Sequence, residues 1–137
     1  MHKDYEKRIA SAKHLMRVVL REKDSPDVYS QHIKELLSVL LWKITVANGK
    51  KNTPYVSEGY KKLADKNKGI HEHVVPRKTL IDRLLSDPGI VDTIEQQAIA
   101  CMVTHEEHER LHSVEETEFS DWKDRYRAAG VNWIKNR

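Results

Sequence analysis

The chain has 137 residues, 39% hydrophobic and 33% charged, with Gly 5 and Pro 4. It is long enough to bury a core without staples and too apolar for a disordered tail. One cysteine, Cys101, excludes an internal disulfide and a Cys-rich zinc ribbon, and no apolar run reaches the roughly 18 residues of a membrane span. The N-terminus, MHKDYEKRIA, lacks the apolar region of a signal peptide. The expectation is a soluble, cytoplasmic protein with no membrane partner. Its net charge of +3 is uneven, with 15 Lys/Arg against 8 Asp/Glu in residues 1–69 and 9 against 13 in the remainder. A basic half suits a polyanion, because each lysine beside a phosphate releases condensed counterions; solvated helix faces would carry the same charges.

In chain order, Ile9, Leu15, Met16, Val19 and Leu20 recur at spacings near three and four, which predicts an amphipathic helix over 4–22. Ser25-Pro26 breaks it, since the residue before a proline is pushed out of the helical region. A second helix is predicted from Asp27 to about Ala47, with Ile33, Leu36, Leu37, Leu40, Leu41 and Ile44 as its apolar set, and Asn48-Gly49 stops it. Residues 50–56 read as loop, Ser57 as the cap of a short helix through Leu63 and Ala64, and 65–69 as loop. Ile70 to Val75 reads as a strand ending at Pro76, which opens a helix carrying Leu80, Ile81, Leu84 and Leu85. After the turn at Asp87-Pro88-Gly89, residues 90–97 read as a short helix and Ile99 to Val103 as a buried strand. Thr104 with Glu107 has capping-box spacing and opens another helix. A last helix spans Ser120 to Ala129 and stops at Gly130.

Five of the eight histidines fall between positions 71 and 112, in two groups. One is His71-Glu72-His73, just before Pro76. The other is His105, His108 and His112, on one face of the predicted helix, with His108 and His112 one turn apart. Imidazoles at that spacing form a nitrogen pair that zinc, nickel and related ions accept. Cys101, in an apolar strand with no basic neighbours, reads as a small core residue and not as a nucleophile. GxSxG, a phosphate-cradling glycine loop and HExxH are all lacking, so serine hydrolase, P-loop NTPase and zincin readings fall away.

Glu72-His73-Val74-Val75-Pro76 resembles the first element of the HNH, or ββα-metal (His-Me finger), nucleases, which reads acidic-or-His, His, two residues, Pro. Thr104 to His112 is similar to the metal-binding helix of the colicin-type branch. The likeness covers residues 70–113. It implies an α+β fold, mainly helical, in which a small two-stranded hairpin and the following helix form a ββα-metal core. It also implies Glu72, His108 and His112 as ligands of a divalent ion (Zn, Mg, Mn or Ni) and His73 as the general base. Arg77 would touch a flanking phosphate, with Lys78 on the solvent face of the same helix. Where the family often places a central Asn, this chain has Ile99, with Gln96 and Gln97 nearby. Strand alternation puts His71 and His73 on one face and Glu72 on the other, so either the strand bends at Glu72 or the site uses His71; His71 and His105 are the second-choice ligands.

The sequence thus leads to a basic helical scaffold over 1–69, an HNH-like core with a helical insertion over 70–113 and a C-terminal helix over 114–137, together one compact domain. The implied activity is hydrolysis of nucleic-acid phosphodiesters, DNA ahead of RNA, with a homodimer or a protein partner also open. The alternative is a non-catalytic module with a degenerate HNH-like core that binds nucleic acid or protein.

Overall fold

The two N-terminal amphipathic stretches form α1 (Tyr5–Arg21) and α2 (Ser30–Thr45), each burying its apolar stripe. The structure, a computed structural model, describes residues 1–115 and 118–136, so residues 116, 117 and 137 of the C-terminal segment lie outside it. Four further helices and a sheet follow: β1 (Tyr55–Ser57), α3 (Glu58–Lys61), β2 (Ile70–His73), α4 (Arg77–Ser86), β3 (Ala100–Val103), α5 (His105–His112), α6 (Trp122–Ala128) and β4 (Trp133–Lys135). Short 3-10 helices cover Lys66–Lys68 and Pro88–Gln96. The fold is α+β and mainly helical, as the patterning implies, and no helix is long and apolar enough to cross a membrane among the described residues.

The chain forms two compact units that interleave along the sequence: residues 1–50 with 75–99, and residues 51–74 with 100–137. In the first unit, α1 and α2 pack with α4 and the 3-10 helix at 88–96. Ile9, Met16 and Leu20 on α1 and Leu37 and Leu41 on α2 are buried, as are Leu80, Leu84, Val91 and Ile94. Lys13 Nζ reaches Glu95 at 2.9 Å, and Arg17 reaches Asp92 at 2.7 Å.

The second unit holds the sheet, in strand order β2-β3-β1-β4. β2 and β3 are the antiparallel pair that the sequence predicts, with Glu72 opposite Cys101 and His73 opposite Ala100. The sheet has two more strands than predicted. β1 runs parallel to β3 and antiparallel to β4. Each of these strands is three residues long, too short for alternation to register, and β1 falls in the stretch read as loop. Backbone pairing with distant segments makes them strands, not their own composition.

Thr104 caps α5 as its spacing predicts. Its hydroxyl accepts from Glu107 N at 3.1 Å, while Glu107 Oε1 accepts from Thr104 N at 2.8 Å. The same carboxylate oxygen accepts from Ser57 Oγ at 2.5 Å, and Ser57 Oγ accepts from Tyr60 N at 2.9 Å. Buried Glu107 therefore joins the end of β1 to the start of α5. Gly59 leaves room for it, since a Cβ there would stand 3.0 Å from the carboxylate. Gly130, with φ at 72°, ends α6 where the sequence places its stop.

Candidate metal centre

β2 alternates, and Glu72 is its one buried residue, at 5% exposure. Its cross-strand neighbour on the same face of the sheet is Cys101. From α5, which begins straight after β3, His108 and His112 come to this carboxylate one turn apart. His108 Nδ1 lies 2.5 Å from Glu72 Oε2, and His112 Nε2 lies 3.7 Å from Glu72 Oε1. The two imidazole centroids are 4.2 Å apart. One ligand atom from each of the three residues falls within 4.8 Å of the others, close enough to hold a metal ion. Protein donors bind such ions at about 2.0–2.2 Å, so two donors on one ion stand roughly 3–4 Å apart. His108 is half-buried and His112 exposed, so the group opens to solvent on the helix side.

The other residues singled out in the sequence stand elsewhere. His71 and His73 share the opposite set of β2 positions, and their rings pack edge to face with centroids 5.8 Å apart. His105 is exposed and reaches Glu109 at 3.8 Å. Neither His71 nor His105 joins the group of three, and neither does His73. β2 presents Glu72 alone to α5, so of the two ligand sets left open by strand alternation, the converging one is built on Glu72. Within its own unit, Arg77 lies over the Trp42 ring at 5.7 Å and donates to Ser38 O at 3.4 Å, while Lys78 is exposed.

Sequence reasoning missed Arg125. It lies on α6, outside the stretch that resembles the nucleases, and is 3% exposed. Its Nη2 stands 4.0 Å from Glu72 Oε1 and donates to Leu111 O at 3.0 Å, one of the last carbonyls of α5. The guanidinium thus touches both elements that carry the three donors. The only signal in the sequence is an arginine beside a core tyrosine, Tyr126, and that pattern does not show which way α6 faces.

Behind Glu72 the Cys101 thiol is pushed up from 9.0 to about 12, first by burial and then by the negative charge of Glu107. The thiol is no nucleophile, in line with its reading from the sequence. A folded-state value above the unfolded one means that the neutral thiol's contribution to stability is complete below pH 9 and lost as pH rises toward 12. The expected outcome is no reaction of the native protein with a thiol reagent at pH 8 and a lower urea midpoint at pH 10.5 than at pH 8. A Cys101→Ser variant should lose that part of the alkaline decline.

No protein-family model, curated protein or solved structure matches the chain.

Proposed function

We propose that the chain is a metal-dependent, HNH-like endonuclease that hydrolyses phosphodiester bonds of nucleic acid, DNA ahead of RNA. One observation carries the reading: a carboxylate from the first strand of an antiparallel pair meets two histidines of the helix that follows the second strand. That is the arrangement the resemblance of residues 70–113 implies.

The chemistry of the donor set agrees. Two imidazoles and one carboxylate suit Zn²⁺, Ni²⁺ or Mn²⁺ ahead of Mg²⁺. Three protein donors leave positions open for water and substrate, where a structural site would be closed by a fourth. A divalent cation held there supplies charge stabilisation for the phosphate oxygens in the transition state. On this reading His73 accepts a proton from water, the water oxygen bonds to phosphorus, and the bond from phosphorus to the 3′-oxygen breaks. A neutral imidazole is a competent general base for that step.

The second reading is a non-catalytic module that binds nucleic acid or protein through the same core. The packing of His73 against His71, outside the group of three, favours it. A plasmid assay separates the two. The endonuclease reading expects nicking by the wild-type protein with Mn²⁺ or Zn²⁺ and none after chelation. Stoichiometric ion uptake without cleavage under any of the four cations would favour the module.

A further inference from the structure

We propose that Arg125 is a resident counter-charge for Glu72 that lowers the affinity of the centre for a cation while holding its donors in place without one. The inference rests on the ion-binding reading of Glu72, His108 and His112.

Burying a guanidinium is costly unless its charge and its donors are matched. Arg125 is almost fully buried, yet among the described residues it makes a single hydrogen bond, to Leu111 O. Its Nε and Nη1 are buried with no hydrogen-bond partner among the described residues. Hydrogen bonding therefore does not account for its position. Among the described residues, what remains is the Glu72 carboxylate, itself buried, 4.0 Å from Nη2. The two opposite charges offset each other inside this unit, where Glu107 is the other buried carboxylate. The contact uses Oε1, while His108 is held on Oε2.

A cation entering between Glu72, His108 and His112 must share Oε1 with the guanidinium or take Oε2 from His108. In either position it meets a positive charge only a few ångströms away with little water between them. The interaction is repulsive and weakly screened. It disfavours the cation-bound form and leaves the donor framework of the cation-free form intact. A purely structural arginine would act in the opposite sense, because loss of framework weakens binding.

The test is calorimetric titration of Zn²⁺ and of Mn²⁺ into the wild-type chain, Arg125→Gln and Arg125→Lys. Arg125→Gln removes the charge and keeps a donor for Leu111 O. It is expected to bind about tenfold tighter, well within what Coulomb's law allows at such a separation. Arg125→Lys keeps the charge and is expected to stay within about twofold of wild type. Equal or weaker binding by Arg125→Gln, with wild type binding normally, overturns this inference alone. So does a Lys variant that tightens like the Gln variant. A wild-type chain that takes up no ion overturns the centre itself, and the inference with it. Should Arg125→Gln be unfolded without ion, added Zn²⁺ is expected to fold it, as read by circular dichroism, because the ion then supplies the missing positive charge. A variant that stays unfolded at saturating Zn²⁺ overturns the proposal.

Discussion

Replacing Glu72 with alanine is expected to lower the unfolding free energy by about 3–5 kcal/mol with no cation in solution, because the substitution leaves a buried guanidinium without its opposite charge. Arg125 is 3% exposed and, among the described residues, keeps only its bond to Leu111 O. Loss of the carboxylate also removes the partner of His108 Nδ1 on α5. The effect is specific to charge, so Glu72→Gln, which keeps the volume and one carbonyl oxygen, should be destabilised nearly as much. Pairing either change with Arg125→Met should recover a large part of the loss, since a buried ion pair replaced on both sides by uncharged groups is often neutral. Urea denaturation of wild type, the two single variants and the two double variants in chelator checks this. Equal stability of Glu72→Ala and wild type would mean that the carboxylate and guanidinium do not compensate each other.

The second large effect concerns cleavage. His73→Ala is expected to slow phosphodiester hydrolysis by about 10²–10⁴-fold, the range for loss of a positioned general base. The same variant should bind Zn²⁺ as wild type does, because His73 is outside the group of three. That split between chemistry and ion uptake identifies a base and excludes a ligand. A His73→Ala protein that cleaves like wild type removes His73 from the role.

Much of this was legible in the residues because the elements concerned carry local signals. The capping box at Thr104 and Glu107 fixed the start of α5, and spacing four fixed the relation of His108 to His112. Strand alternation predicted that Glu72 and His73 part company, which is how β2 presents them. The parts that escaped depend on distant partners. Tyr55–Ser57 is a strand because Tyr55 and Val56 pair with Cys101 and Met102 on one side and with Lys135 and Ile134 on the other. The role of Ser57 goes beyond its predicted cap, since its hydroxyl also holds Glu107. Arg125 escaped for the same reason: nothing along α6 shows that a charged residue turns inward, and only the fold supplies the carboxylate that makes it tolerable.

The most direct test of a cation held by Glu72, His108 and His112 is a crystal of the wild-type protein grown with Mn²⁺ or Zn²⁺ and measured at the metal absorption edge. One anomalous peak per chain is expected, about 2.0–2.2 Å from an oxygen of Glu72 and a nitrogen each of His108 and His112. A peak bound through other residues, or none at saturating ion, would contradict it.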